Sequence, residues 1–270
     1  MSPAPTLLAL ANPHPRDALI EFDEPTHVYT IAGEKGYTSV TTWIHSHFSK
    51  FDADAISSRI VAGRRMNDPQ YKYFGMTKES ILASWDANGA AASAAGTKMH
   101  NDIELFYNGV DTGNTSVEFT FFRNFLADHP HLKPYRTEWC VFDQELKIAG
   151  SIDMVFETPE GNLLIYDWKR VREISYESSY NQYGVGAGLE HMPDTNFWHY
   201  SLQLNIYRAL LERNYGKKVV ELCLVCLHPE NYSENYELIP IAMLDTEVEC
   251  MLNARADSVS AATTLNPFNH

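Results

Sequence analysis

The sequence has 270 residues, of which 44% are hydrophobic, and its formal net charge is −14. The apolar content is too high for a disordered chain, and no window approaches the roughly 18 apolar residues of a membrane span. The length fits one large domain or two small ones, and the acidic balance argues against a protein that coats nucleic acid through positive charge.

The first ten residues, MSPAPTLLAL, lack the basic segment of a secretory signal. We expect a disordered or loosely packed arm there, in an intracellular protein that is cytoplasmic or nuclear. The four cysteines are too few for a disulfide scaffold. Cys223 and Cys226 form a C-x-x-C, but they fall in a predicted strand, where residues three apart face opposite sides. We interpret them as core cysteines, with a zinc or iron–sulfur site as the alternative.

Hydrophobic periodicity and turn residues predict mostly helices before residue 130 and mostly strands after it. Two short strands flank a turn at Asp23–Pro25, and a helix is capped near Ser39. Further helical segments are predicted over 50–90, 97–108, 116–128, 196–215 and 245–262, and strands over 135–143, 148–157, 162–170, 219–227 and 236–242. This order predicts an α/β or mixed α+β fold with one sheet flanked by helices.

A three-residue turn at Pro159–Gly161 is predicted to set the register of one hairpin. Opposed residue numbers then sum to about 320, which places Asp153 opposite Asp167. Because side chains alternate along a strand, Lys169 shares the face of Asp167. The hairpin alone therefore predicts two carboxylates and a lysine on one face.

Two opposed carboxylates repel each other unless a cation lies between them. Oxygen ligands suit Mg²⁺ or Mn²⁺, and a nearby lysine can assist a water or stabilise charge on a phosphate. The pattern therefore indicates phosphodiester hydrolysis. A D-x-K triplet by itself is usually a solvated strand face, and the similar Glu145–Lys147 is interpreted as a surface turn because no Gly-x-x-Asp strand precedes it.

Two helices carry polar pairs at four-residue spacing. His100 and Glu104 share one helical face, which is typical either of metal or water ligands or of an ordinary amphipathic helix. Gln203 and Tyr207 are paired in the same way on a later helix. Glu138, on the strand before the hairpin, faces either this cluster or solvent.

Taken in chain order, these motifs resemble those of the RecB-like branch of the PD-(D/E)XK nuclease superfamily, and more closely its stand-alone viral and phage members. They are G-x-x-x-H-x-x-x-E at Gly96–Glu104, Glu138, G-x-x-D at Gly150–Asp153, D-x-K at Asp167–Lys169 and Q-x-x-x-Y at Gln203–Tyr207. The resemblance implies a restriction-endonuclease-like core with a central mixed sheet, and metal-dependent cleavage of DNA. We expect this core over residues 91–270, with residues 1–90 packed on it as one compact unit.

The resemblance also implies roles for individual residues. His100, Asp153 and Asp167 would bind one or two Mg²⁺ or Mn²⁺ ions together with the backbone carbonyl of Trp168, and Lys169 would be the catalytic lysine. Gln203 and Tyr207 would orient the site or contact DNA, whereas Glu104 and Glu138 are further candidate ligands for a second ion. Members of the branch with an iron–sulfur cluster have a cysteine before the histidine motif. No cysteine precedes His100, so we expect no cluster.

DNA contacts are predicted at local positions, because the chain as a whole is acidic. Lys98 precedes the histidine motif, and Arg170 and Arg172 follow the catalytic lysine. Tyr180 and Tyr183 lie in a glycine-containing loop, where exposed rings can stack on unpaired bases. We expect a lid that guides a single strand, the alternative being a surface loop whose tyrosines pack inward.

The leading hypothesis is a Mg²⁺/Mn²⁺-dependent deoxyribonuclease, an exonuclease or flap-type enzyme acting on single-stranded or end-containing DNA. One rival is an RNA endonuclease of the cap-snatching type, which uses a similar array of side chains. The other is an inactive nuclease fold that serves as a nucleic-acid-binding subunit. The presence of Asp153, Asp167 and Lys169 speaks against this second rival.

Overall fold

The computed structural model describes residues 6–265. The chain is organised as two units: one contains the residues up to Ser49 and those from His100 onward, and the other contains Lys50–Met99. The domain boundary that the sequence predicts between residues 90 and 91 stays a prediction.

The described helices, in chain order, are α1 (Leu7–Ala11), α2 (Val40–His45), α3 (Ala53–Ala62), α4 (Lys78–Tyr107), α5 (Val117–Asp128), α6 (Asn196–Asn214) and α7 (Asp245–Leu265). The strands are β1 (Ile20–Asp23), β2 (Val28–Ile31), β3 (Thr38–Ser39), β4 (Lys133–Asp143), β5 (Ile148–Glu157), β6 (Leu163–Lys169), β7 (Val219–Cys226) and β8 (Glu237–Pro240). None of the described helices is long and apolar enough to cross a membrane.

The first unit is built on a mixed sheet. β5 pairs antiparallel with β4 and β6, β6 pairs parallel with β7, and β8 closes the far edge antiparallel to β7. The parallel connection from β6 to β7 runs through α6, as parallel neighbours require a crossover. Helices flank this sheet, which confirms the predicted fold class.

The hairpin between β5 and β6 has the predicted register. The N–H of Thr158 donates to the carbonyl of Asn162, and Glu157 pairs with Leu163. The pairing continues to Met154 opposite Tyr166 and ends there. Asp153 is thus the first residue of β5 beyond the paired part of the hairpin.

The edge of β5 that faces β6 is only partly covered. β3 pairs with Ile148 and Ala149, and β6 pairs with β5 only from Met154 onward. The stretch 150–153 therefore lies between two strand partners. This stretch contains the G-x-x-D motif, and backbone irregularity of this kind is common beside active sites.

Buried apolar side chains of the central strands and α6 form the main core of the first unit. On α6, the side chains of Leu202, Ile206 and Leu210 are fully buried. Each such side chain contributes about 1.5–3 kcal/mol through removal of its surface from water. α6 packs on β4 and β7, which fixes the helix that carries Gln203 and Tyr207.

The second unit, Lys50–Met99, contains α3 and the first part of α4. Asp52 caps α3 by accepting from the N–H of Ala55, and Lys78 pairs with Asp54 at 2.6 Å. A 3₁₀ turn and a series of further turns connect the two helices. The expectation of helical pieces over residues 50–90 is confirmed.

Three further expectations meet the structure with different outcomes. The arm expected at residues 1–10 is partly ordered, because Thr6 caps α1 and the N–H of Leu8 donates to Asn108; residues 1–5 lie outside the described part. The helix expected to begin at Thr97 begins at Lys78, since the alanine-rich stretch between has high helix propensity. Cys223 and Cys226 are buried in β7, as the core interpretation predicts.

Candidate metal and catalytic site

Side chains of three potential metal ligands, His100, Glu138 and Asp153, meet beside the 150–153 stretch of β5. His100 of α4 has its Nδ1 3.4 Å from Asp153 Oδ2 and 3.9 Å from Glu138 Oε1. One ligand atom from each of the three residues lies within 4.8 Å of the others. Sequence reasoning expected Glu138 only as a further candidate, whereas the fold places it directly beside His100 and Asp153.

Glu138 occupies a strained backbone position. Its φ is +43°, in the left-handed region that non-glycine residues rarely adopt, at a cost of about 1–3 kcal/mol. Its neighbours pair normally, Thr137 with Met154 and Trp139 with Ile152, so Glu138 lies opposite Asp153. Its Oε2 accepts a hydrogen bond of 2.8 Å from Ser151 Oγ. The strain thus accompanies a carboxylate held in one orientation.

The pKa values of His100, Asp153 and the neighbouring Glu104 indicate a site with negative potential that attracts cations. Burial lowers the pKa of His100, but the carboxylates of Asp153 and Glu138 outweigh it and raise that pKa to about 9. Burial raises the pKa of Asp153. Burial and repulsion from Glu138 and Glu24 raise the pKa of Glu104 to about 7. An imidazole and partly buried carboxylates are donors that fit a divalent cation.

Asp167 and Lys169 form an ion pair at the end of β6. Asp167 is only 2% exposed, and its Oδ2 lies 2.7 Å from Lys169 Nζ. Burial, followed by repulsion from Asp153, raises the pKa of Asp167 to about 6. Burial lowers the pKa of Lys169, but Asp167 and Asp153 outweigh it and raise that pKa. Asp167 therefore contacts the lysine and does not belong to the three-residue cluster.

Trp168 connects the two parts of the site through its backbone. Its N–H donates to Asp153 Oδ2 at 3.0 Å, which is possible because the β5–β6 ladder ends at the Met154–Tyr166 pair. Its indole is 1% exposed and packs edge-on against Phe122 and Phe125. A firmly packed ring thus fixes the backbone between Asp167 and Lys169. The metal contact expected of the Trp168 carbonyl stays a prediction.

α6 supplies Gln203 and Tyr207 to the same site. Gln203 Oε1 accepts from Lys169 Nζ at 3.3 Å, and Gln203 Nε2 donates to Tyr207 Oη at 3.4 Å. Tyr207 is 3% exposed and covers Gly150 so closely that a Cβ on that glycine would lie 2.7 Å from the ring. The glycine of G-x-x-D is therefore required by the tyrosine of Q-x-x-x-Y.

Sequence reasoning missed Tyr200. Lys169 Nζ lies 4.3 Å from the centre of its ring, which is a cation–π distance. Tyr200 precedes Gln203 by three residues and Tyr207 by seven, so all three follow one face of α6. That spacing was the available signal, but a tyrosine on a largely buried helix is also typical of core packing.

The basic residues predicted to contact DNA have different surroundings. Arg170 pairs with Glu118 at 2.7 Å, and both side chains are mostly buried. Arg172 is exposed and lies 3.3 Å from the exposed Glu230. Lys98 is exposed and lies in the second unit, two residues before His100 on α4. Their roles in binding stay predictions.

The tyrosine loop between β6 and α6 is partly tied down. The N–H of Gly184 donates to Met192, and the N–H of Val185 donates to His47 at 2.7 Å. Tyr180 is 82% exposed and Tyr183 is 45% exposed. Neither ring packs inward completely, and Tyr180 is available to solvent on nearly all sides.

A mixed sheet flanked by helices, with carboxylates and a lysine on adjacent central strands, is the architecture of a restriction-endonuclease-like core. The family model of the PD-(D/E)XK nuclease superfamily matches residues 90–260, and the chain therefore belongs to this superfamily. This membership implies a phosphodiester hydrolase that uses divalent metal. No curated protein matches the sequence significantly.

Proposed function

We propose that this protein is a Mg²⁺- or Mn²⁺-dependent deoxyribonuclease of the RecB-like branch, of viral or phage type, which trims DNA ends as an exonuclease or flap-type enzyme. The observation that carries the proposal is the convergence of His100, Glu138 and Asp153 beside the Asp167–Lys169 ion pair. A cation site next to a largely buried lysine suits phosphodiester hydrolysis.

His100, Glu138 and Asp153 would hold the first ion, since their ligand atoms already lie close together. Asp167 and the carbonyl of Trp168 complete the expected ligand set, and Glu104 stands near Glu138 as a ligand for a second ion. A divalent cation bound there supplies Lewis-acid polarisation of a phosphoryl oxygen.

Lys169 is the residue best placed to act on the phosphate. Asp167, Gln203 and Tyr200 hold its ammonium group from three sides. The ammonium can donate to a phosphate oxygen or to the attacking water's developing charge, and a positioned donor of this kind typically contributes a factor of about 10²–10³. Gln203 and Tyr207 orient the lysine and the backbone of β5.

A preference for single strands and ends is supported by the tyrosine loop. The exposed Tyr180 and Tyr183 can stack on unpaired bases, which contributes about 1–3 kcal/mol per base. We propose that this loop guides one strand toward the site.

The test compares Lys169→Ala and Asp153→Ala with the wild type on end-labelled DNA and RNA in Mn²⁺. We expect each variant to lose at least about 10²-fold in cleavage of DNA. The matched control is Lys147→Ala, because Lys147 lies in a similar E-x-K triplet but pairs with the exposed Glu34 at the surface. The control should keep wild-type activity.

Activity on different substrates distinguishes the proposed function from its two rivals. Linear and circular DNA, each single- and double-stranded, distinguish attack at ends from internal cleavage. Cleavage of RNA alone would replace the proposal with an RNA endonuclease, and binding of DNA without cleavage would indicate an inactive subunit. Full activity in both site variants would refute the assignment of the site.

A further inference from the structure

The charge of the chain is distributed unevenly between its two units. The segment Lys50–Met99 has seven Lys and Arg residues and five Asp and Glu residues, a net charge of +2. The remaining 220 residues have 14 basic and 30 acidic residues, a net charge of −16. Within the small unit the stretch 55–78 is the most basic, with five basic residues and one acidic residue.

Turns expose these basic side chains. The backbone between Gly63 and Met76 makes a succession of hydrogen bonds to carbonyls three residues earlier, so the segment is ordered without being one regular helix. Arg64, Arg65 and Lys72 project from it and are exposed. Within residues 6–265, none of these three forms an ion pair. Their charges are therefore available to a partner.

Aromatic rings lie directly beneath two of these cations. The guanidinium of Arg65 lies 4.7 Å from the ring centre of Tyr71, and Lys72 Nζ lies 5.2 Å from that of Tyr73. Tyr71 and Tyr73 contact each other edge-on at 5.6 Å. Such contacts hold the cations at the surface without neutralising them.

The aromatic contacts extend from Tyr73 to Trp85 and Phe51 of the same unit. Trp85 Nε1 donates to Tyr73 Oη at 2.9 Å, and the Trp85 ring contacts Phe51. Phe51 is nevertheless 70% exposed, and Phe74 is 48% exposed. Exposed aromatic rings beside unpaired cations are typical of a surface that binds a polyanion carrying planar groups.

We propose that a basic–aromatic surface on the Lys50–Met99 unit binds single-stranded nucleic acid, with the cations contacting phosphates and an exposed ring stacking on a base. This surface is formed by Arg64, Arg65, Tyr71, Lys72, Tyr73 and Phe74. The inference rests on the proposed function, because the surface would hold the substrate strand of the nuclease in an otherwise acidic protein. The positive charge of the surface favours a polyanionic partner, and its aromatic rings can stack on the unpaired bases of a single strand.

The experiment measures binding of fluorescent (dT)₂₀ to the full-length protein by anisotropy, in EDTA and at several salt concentrations. EDTA keeps the candidate metal site from contributing, so the outcome does not depend on the nuclease proposal. We expect the double variant Arg64→Ala/Arg65→Ala to bind about tenfold more weakly at low salt. The slope of log K against log salt should fall by about 1.4, because two phosphate contacts are lost.

The matched control is Lys35→Ala/Lys218→Ala, which removes two exposed charges of the same sign from the other unit. It should bind (dT)₂₀ nearly as well as the wild type. Phe74→Ala should weaken binding roughly fivefold with an unchanged salt slope, since stacking involves no phosphate. Arg64→Lys/Arg65→Lys keeps both charges and should keep the slope, which separates lost contacts from misfolding.

Two results would overturn the proposal. One is a loss in Arg64→Ala/Arg65→Ala no larger than in the matched control. The other is an equal loss of binding to poly-glutamate, which would indicate an acidic protein as the partner. If (dT)₂₀ binding depends on this surface while Lys169→Ala keeps full nuclease activity, the surface stands and the proposed function fails.

Discussion

Lys169 is the residue on which most of the site's contacts converge. Its ammonium group pairs with Asp167, donates to Gln203 and lies over the ring of Tyr200. A lysine side chain has four rotatable bonds and would otherwise be mobile, at a cost of up to about 2 kcal/mol to order it. The three contacts offset that cost before any substrate binds. Positioning in advance is what electrostatic catalysis requires.

At this scale the newly identified Tyr200 can be tested. Tyr200→Leu removes the ring and the cation–π contact, which contributes about 0.5–2 kcal/mol, so we expect kcat for DNA cleavage to fall roughly 2–30-fold. Tyr200→Phe keeps the ring and should stay near the wild-type rate. Steady-state kinetics on end-labelled DNA measures both.

The control for this prediction is a melting curve of each variant. Tyr200→Leu should keep a normal melting temperature, because the ring is partly exposed. An equal fall in kcat for the Phe variant would mean that the hydroxyl and not the ring holds the lysine.

At the scale of elements, the site depends on how α5 is attached to the end of β6. Arg170 follows the strand, and Glu118 lies in the first turn of α5. Burial raises the pKa of Glu118, but its own backbone N–H and the guanidinium of Arg170 outweigh burial and lower that pKa. The carboxylate is therefore more stable as an anion in the folded protein than in the unfolded chain.

This linkage predicts a pH dependence of stability. A lowered folded-state pKa contributes stability that is fully present above the unfolded value of about 4.5 and is lost as the pH falls through the folded value. Glu118→Gln should therefore lower the free energy of unfolding by about 1–3 kcal/mol at pH 7, and its difference from the wild type should shrink as the pH falls through the folded-state pKa of Glu118. Urea unfolding at a series of pH values measures this.

The comparison reports on the Glu118 carboxyl and on the nearby His228. Burial and Arg170 lower the pKa of His228 and Glu118 opposes them, so the variant also lowers the pKa of His228. A stability difference that stays constant down to pH 3 would contradict the proposed linkage. Arg172→Gln, which removes an exposed pair, should change stability by less than about 1 kcal/mol.

At the scale of the whole molecule, the net charge of −14 has two consequences. Part of the acidic excess lies at Glu138 and Asp153, which form a candidate cation site with His100. The rest repels nucleic acid over much of the surface, so binding must rely on local features. A metal ion bound at the site would reverse the local sign of the field, and the basic stretch of the small unit supplies positive charge elsewhere.

A bound ion should therefore stabilise the folded protein. At a metal concentration about 100 times its Kd, the folded state gains about 2.7 kcal/mol, which corresponds to several degrees in the melting temperature of a chain of this size. We expect Mn²⁺ to raise the melting temperature of the wild type and EDTA to reverse the effect. In Asp153→Asn the shift should nearly vanish.

Glu145→Gln serves as the matched control, because it removes one negative charge at a surface turn away from the cluster. It should keep the full metal-induced shift. A shift of wild-type size in Asp153→Asn would place the stabilising ion elsewhere in the chain.

The register of the β5–β6 hairpin was readable from local sequence, because a proline and a glycine at defined positions determine the turn and the turn determines the pairing. The same is true of the cap at Ser39, whose side chain accepts from the N–H of Thr42. The convergence of Asp153, Asp167 and Lys169 follows from that register. These interactions join residues that are close in the sequence, so the local sequence is sufficient to predict them.

The remaining features depend on long-range packing. The left-handed backbone of Glu138, the ring of Tyr200 over Lys169 and the contact of Tyr207 with Gly150 each join residues from different elements. Nothing in the local sequence distinguishes a tyrosine or glutamate of the site from one that packs in the core or lies at the surface. The sequence by itself determined the motifs, the hairpin and the superfamily they resemble. Only the tertiary structure decided which carboxylates meet His100 and which one holds the lysine, because burial and sheet edges arise from the whole fold.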